Sequence, residues 1–171
     1  GAEGEGGQEL GIFYGGCAAM ADEVRFMREA LLLARHAAAR GNEPYGAVLV
    51  KDGAIVGRGE NRVRTRNDPS HHAELGLIRE YCMEHGTLDL SDCTLYASCE
   101  PCFMCAACMV RVRLKKLVFS AYEADCEAIT GTPKGDRCQW VFERSPCAPE
   151  VVEGFLREEG LAVLRSYLWS E

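Results

Sequence analysis

His72-Ala73-Glu74 is followed, 30 positions after the histidine, by the first cysteine of Pro101-Cys102-Phe103-Met104-Cys105. Written as a pattern, this is H-x-E and then P-C-x-x-C. One imidazole and two thiolates make three ligands of the kind that Zn2+ takes. Structural zinc sites are typically closed by four protein ligands, whereas catalytic sites keep three and leave a place for water. Zinc lowers the pKa of such a water to about 7, so hydroxide can attack a carbon that bears an exocyclic amine. Glu74, two residues from the histidine, would take the water's proton, pass it to a ring nitrogen and help ammonia depart. A closed structural site would need a fourth ligand. His71 and Cys99 are the only neighbours in sequence that could serve, and both read as bystanders.

The spacing restricts how these residues can meet. Positions 72 and 74 of one helix are about 200° apart, so His72 and Glu74 converge only if the metal lies beyond the start of their helix. Cys102 and Cys105 are three apart and share a helix face. Their helix begins just after Pro101, where its positive end favours thiolate over thiol. Two helix starts facing one ion form a self-consistent arrangement.

The elements that must position these groups are legible in outline. Val24, Met27, Leu31, Ala34 and Ala38 recur at helical spacing, which predicts a helix over 22–40 ending at Gly41-Asn42. Residues 47–50 and 54–57 flank Lys51-Asp52-Gly53, a hairpin signal. Asp68-Pro69-Ser70 predicts a helix over about 70–85, with proline in its first turn. A strand follows at 94–97, a helix at 101–112 and a strand at 117–120. Gly131, Pro133 and Gly135 make 122–147 read as a long loop that could cover a site. A short strand at 150–153 and a helix over 155–169 close the chain. The order α-β-β-α-β-α-β-β-α predicts an α/β fold, with helices on both faces of one mixed five-stranded sheet.

The chain has 171 residues, 47% of them apolar, and reads as one domain spanning 20–171. Residues 1–19 are rich in glycine and read as an unstructured or expression-derived tail, with Met20 as a natural start. They lack a secretory signal pattern, and no apolar run is long enough to span a membrane. The net charge of -7 and pI of about 5.2 disfavour loose attraction to nucleic acid. The basic stretch 111–116 reads as a solvated helix end, where cations complement the dipole. Ten cysteines without an export signal fit reduced thiols in the cytoplasm and a metal site.

Pro44-Tyr45-Gly46-Ala47, Asn61, Asn67-Asp68-Pro69, His72-Ala73-Glu74 and Ser98-Cys99-Glu100-Pro101-Cys102 together resemble the cytidine deaminase-like superfamily. The similarity runs from about residue 24 to 169. It is nearest in pattern to the branch of guanine deaminases, tRNA adenosine deaminases and yeast-type cytosine deaminases. The resemblance implies a three-layer α/β/α sandwich and a homodimer. It also implies His72, Cys102 and Cys105 as zinc ligands and Glu74 as the proton shuttle. Asn61 and the backbone amide of Ala73 would contact the base. Tyr45 matches an aromatic beside it, Glu100 lies at the pocket, and Asp125 resembles a pocket acid that follows Ala121-Tyr122-Glu123. Arg111 stands where relatives of this kind carry Trp or His, and could reach the pocket or a dimer partner.

The expected partner is a small aminated base or nucleoside, guanine-like purines being favoured, with no membrane. Deamination of a flipped-out adenosine in tRNA is the nearest rival, against which the acidic pI pulls. A non-catalytic zinc-binding subunit is opposed by the presence of Glu74, and a cytosine or dCMP deaminase by Glu100 before Pro101.

Overall fold

A computed structural model describes residues 9–169, the side chains of 9–15 apart. The chain runs α1 (Glu9–Ala39), β1 (Gly46–Lys51), β2 (Ala54–Glu60), α2 (Val63–Arg66), α3 (Ala73–His85), β3 (Cys93–Cys99), α4 (Phe103–Arg111), β4 (Lys116–Ala121), α5 (Glu123–Thr130), α6 (Cys138–Phe142), β5 (Glu150–Val152) and α7 (Arg157–Arg165). The five strands form one sheet in the order β2-β1-β3-β4-β5. β1 is antiparallel to both β2 and β3, and β3, β4 and β5 are parallel. The mixed five-stranded α/β sheet expected from the sequence is therefore present.

Strand alternation divides the interior into two layers. Leu49, Leu95, Leu117 and Phe119 point to one face and pack with Leu77 and Ile78 of α3 and Met109 of α4. Val48, Val50, Tyr96 and Val118 point to the other face, where Phe26, Met27, Leu31 and Ala34 of α1 and Val163 of α7 cover them. α1 lies close because residue 46 is glycine: a Cβ there would run into the Ala30 carbonyl and the Ala34 amide of α1.

Three expectations are corrected. The helix expected from residue 22 begins at Glu9. Residues 16–22 of it are exposed. Extending an established helix through Ala18-Ala19-Met20-Ala21 needs no new nucleus. Residues 1–8 of the expected tail lie outside the described residues. The helix expected from residue 70 begins at Ala73, with His72 as its N-cap. Residues 68–70 instead form a turn, in which Asp68 Oδ1 accepts the Ser70 amide at 2.9 Å and its hydroxyl at 2.7 Å.

Finally, 122–147 is not one long loop, because α5 and α6 lie within it. Asp125, in the first turn of α5, accepts the Tyr122 backbone N–H at 3.0 Å, and Cys126 anchors the helix in a small core with Leu161 and Leu164. Eight- and five-residue helices carry too few turns for their periodicity to register in sequence.

Candidate metal centre and cavity

The sheet topology gathers the site at one end. β3 and β4 are parallel, with Cys99 paired to Ala121 at their carboxyl ends. β1 runs against β3, so its first residue, Gly46, lies at that end, paired with Glu60 at the end of β2. The chain therefore brings four segments together: the entry to β1 with Tyr45, the exit of β2 with Asn61, the exit of β3 with Glu100, and the exit of β4 with Glu123. Crevices outside the carboxyl ends of strands are where open α/β sheets commonly bind ligands.

α3 and α4 pack on one face of the sheet and start at this crevice. His72 is the N-cap of α3 and Cys102 the N-cap of α4, both with extended backbone (φ −68°, ψ 156° and φ −69°, ψ 172°). Because His72 is not yet helical, the 200° separation expected within one helix does not arise, and its ring and Glu74 turn to the same side. The ligating atoms of His72, Cys102 and Cys105 all lie within 4.8 Å of one another. Cys102 Sγ is 3.4 Å from His72 Nδ1 and accepts the Cys105 amide at 3.5 Å. The Cys105 thiol donates to Glu74 Oε2 at 3.3 Å.

One nitrogen and two sulfurs at this separation suit a tetrahedral zinc with one position left open. Hydrogen bonds from Cys105 and His72 hold the Cys102 thiol far below its usual range, toward thiolate, and raise the His72 imidazole through the same contact. His71 is not part of the cluster: it is buried and bound through Nδ1 to Arg79 at 2.9 Å. Cys99 is buried as well and lies outside the cluster. All ten cysteines carry free thiols.

The cavity beside this cluster is lined by His72, Glu74 and Cys102 together with Tyr45, Asn61 and Glu100. Glu74 is buried and its carboxyl is raised, desolvation being the main cause. Asn61 uses its carbonyl oxygen to accept the Val63 amide at 3.1 Å. That bond fixes the side chain, and its NH2 has no partner among the described residues. Ala73 opens α3, so its backbone N–H is one of those a helix start leaves without an intrahelical acceptor. Tyr45 spends its hydroxyl on Cys126, 3.1 Å away, and burial holds the phenol protonated. Glu100 is engaged structurally: its two oxygens accept the backbone amides of Glu123 and Cys138 at 3.4 and 3.2 Å.

Two expected substrate contacts are elsewhere. Asp125 does not line the cavity. Its carboxylate is taken by Arg157, at 2.6 and 3.0 Å, and by the Tyr122 amide. Arg111 sits exposed in the last turn of α4, the far end of the helix whose start holds the cysteines.

Four residues that the sequence reading missed also line the cavity: Glu43, Glu123, Lys134 and Asp136. Lys134 and Asp136 arrive on the loop after α5. Glu127 organises that loop by accepting the amides of Lys134 and Gly135 (3.1 and 2.8 Å) and the Arg137 guanidinium (3.1 and 3.2 Å). Only Glu123 left a trace in the sequence, as the acid two residues past the end of an apolar strand.

Comparison with known proteins matches residues 20–121 to the family model for the cytidine and deoxycytidylate deaminase zinc-binding region. A tRNA-specific adenosine deaminase from Agrobacterium fabrum is 36% identical over 150 residues, 86% of this chain and 95% of that protein. Guanine deaminase from Bacillus subtilis is 45% identical over 101 residues, 58% of this chain and 65% of that protein. Among solved structures, a tRNA:A34 deaminase of A-to-I editing superposes with a TM-score of 0.71 at 36% identity, covering 82% of this chain and 99% of that one. Guanine deaminase from Nitrosomonas europaea superposes with a TM-score of 0.74 at 30% identity, covering 83% and 82%.

Proposed function

This chain belongs to the cytidine and deoxycytidylate deaminase zinc-binding family, and from that premise we propose that it hydrolytically removes the exocyclic amine of a purine-type ring presented as a small base or nucleoside. The observation that carries this reading is the imidazole and two thiols within 4.8 Å of one another, with Glu74 against one of them, on the wall of a cavity. Zinc held by His72, Cys102 and Cys105 supplies the Lewis acidity that makes water nucleophilic near neutral pH. Glu74 moves the protons, first to a ring nitrogen and then toward the leaving ammonia. Burial raises its carboxyl, which suits a group that must both accept and donate. The free NH2 of Asn61 donates to a ring acceptor and sets the ring's orientation.

The charge of the cavity supports a small, donor-rich ring. Glu43, Glu74, Glu100, Glu123 and Asp136 line it against a single lysine. Such a wall repels phosphate and accepts hydrogen bonds from N–H groups. The exposed aromatic pair of Phe103 and Trp140, with ring centroids 5.9 Å apart, supports the expected homodimer by offering a second copy an apolar patch. Free thiols throughout suit a reducing cytoplasm. Among the described residues no helix is long and apolar enough to cross a membrane.

A second reading, deamination of adenosine in tRNA, has two observations in its favour. Two relatives that each match 86% of this chain, from Agrobacterium fabrum and Bacillus subtilis, are tRNA-specific adenosine deaminases. Arg62, Arg64 and Arg66 also follow Asn61 directly, although each has a carboxylate of Glu60, Glu43 or Glu80 at 3.7 Å.

One experiment separates the readings. Ammonia release is measured with guanine, guanosine, adenine, adenosine, cytosine, cytidine and ammeline, and inosine is measured in tRNA. Turnover of a small purine or triazine, lost in Glu74→Ala with zinc retained, is the expected result. Silence across the small molecules with inosine formed in tRNA would establish the second reading instead.

A further inference from the structure

Glu123 is a buried acid of the cavity with one oxygen that no described residue hydrogen-bonds. It is 5% exposed, it lines the cavity, and its Oε1 accepts no hydrogen bond. Lys134 Nζ forms an ion pair with Oε1 at 3.9 Å, a separation beyond hydrogen-bond reach. Three of the neighbouring acids have contacts of their own. Glu100 accepts two backbone amides, Glu74 accepts from the Cys105 thiol, and Glu43 pairs with Arg64 at 3.7 Å. A buried acceptor without a donor is costly, and in a native structure it calls for an explanation.

We propose that Glu123 accepts a hydrogen bond from the imidazole N–H of the substrate ring, and so selects a free purine-type base over one substituted at that nitrogen. The inference rests on the ring-deaminase reading. The amine-bearing carbon must meet the metal cluster and Glu74, at the starts of α3 and α4. A fused ring then extends across the cavity, and Glu123 enters that cavity from a different element, the start of α5 after β4. A free purine carries one imidazole N–H, the donor that Oε1 lacks. A nucleoside or a 9-methyl base has none, and would leave the carboxyl desolvated and unmatched. Sites built to hydrogen-bond a substrate group discriminate strongly against analogues without it. Burial pushes the Glu123 carboxyl up to about 7, with Lys134 opposing and Asp136, Glu127 and Glu100 adding to the rise. A donor from the substrate relieves that same desolvation.

The test is calorimetric binding of guanine, 9-methylguanine, adenine and 9-methyladenine to zinc-loaded Glu74→Ala protein, which holds ligand without turning it over. The measurement is repeated with Glu123→Met, which removes the acceptor at similar length, and with Glu123→Gln, which keeps one oxygen. Zinc content and melting temperature report folding. With Glu123 present, at least one free base should bind tenfold or more tighter than its 9-methyl form. In Glu123→Met the free base should fall to the level of the methylated one, and in Glu123→Gln the preference should shrink at least threefold. The Gln variant alone carries the test if the Met variant does not fold. A preference that persists in the variants is steric and overturns the proposal. Equal binding of free and methylated bases, or binding of none, also overturns it. Ammonia release by the unaltered chain is scored separately. Turnover with an unchanged preference removes the role of Glu123 alone, whereas discrimination in binding without turnover removes the deaminase reading.

Discussion

His72 and Cys102 hold the same position, the N-cap, on two different helices, and the sulfur of one lies 3.4 Å from the Nδ1 of the other. Both caps have extended backbone, so each side chain projects beyond the helix start. An ion placed there would face two positive helix ends and the anionic groups that those ends stabilise. Cys105 and Glu74, each in the first turn of its helix, then reach the same point from the sides.

Zinc and turnover should be separable at Glu74. Glu74→Ala is expected to keep one zinc per chain by elemental analysis while losing about 10²–10⁴ in turnover. Cys102→Ser should lose both, and chelation of the wild type should lower its melting temperature, since an ion bound to the folded state alone stabilises it. A Glu74→Ala protein without zinc would mean that this carboxylate holds the metal site together.

Asp125 should matter for stability and not for substrate. Its carboxylate caps α5 and pairs with Arg157, so Asp125→Ala is expected to cost about 1 kcal/mol in denaturant unfolding. The partly exposed ion pair adds little to that. KM should stay within about twofold of the wild-type value. A large rise in KM in a stable variant would return Asp125 to the pocket.

Glu127 should act on the cavity through its loop. Glu127→Gln weakens acceptance of the Arg137 guanidinium and of the Lys134 and Gly135 amides. The expected outcome is faster proteolysis within 131–137 and a KM raised several-fold with kcat largely kept. Unchanged proteolysis would show that the loop holds its shape without this carboxylate.

Glu123 should leave a signature in the pH dependence of stability. Its folded-state value of about 7 lies above the ordinary 4.5. Its contribution is therefore fully present below the ordinary value and is lost as pH rises through about 7. The loss is at most about 3 kcal/mol. Melting temperatures at pH 5 and pH 8 should show Glu123→Gln gaining on the wild type at the higher pH. An identical difference at both values would place the carboxyl in its ordinary range.

The sequence by itself determined the cluster of His72, Cys102 and Cys105, the acid beside it, the number of strands and the mixed sheet. Each depends on local chemistry or short-range periodicity: C-x-x-C at the start of a helix places two sulfurs on one face whatever surrounds it, and five apolar runs must pair. Tertiary structure alone decided which carboxylates line the cavity. Asp125 and Glu123 are two residues apart on one short helix, and both carry the same functional group. Asp125 turns to Arg157, which arrives from α7, 32 positions away. Glu123 turns to the cavity because the exits of β3 and β4 lie side by side. A carboxylate's role depends on the cations and amides that the fold brings to it. Those come from distant segments, so no local pattern could separate the capping acid from the one left facing the cavity.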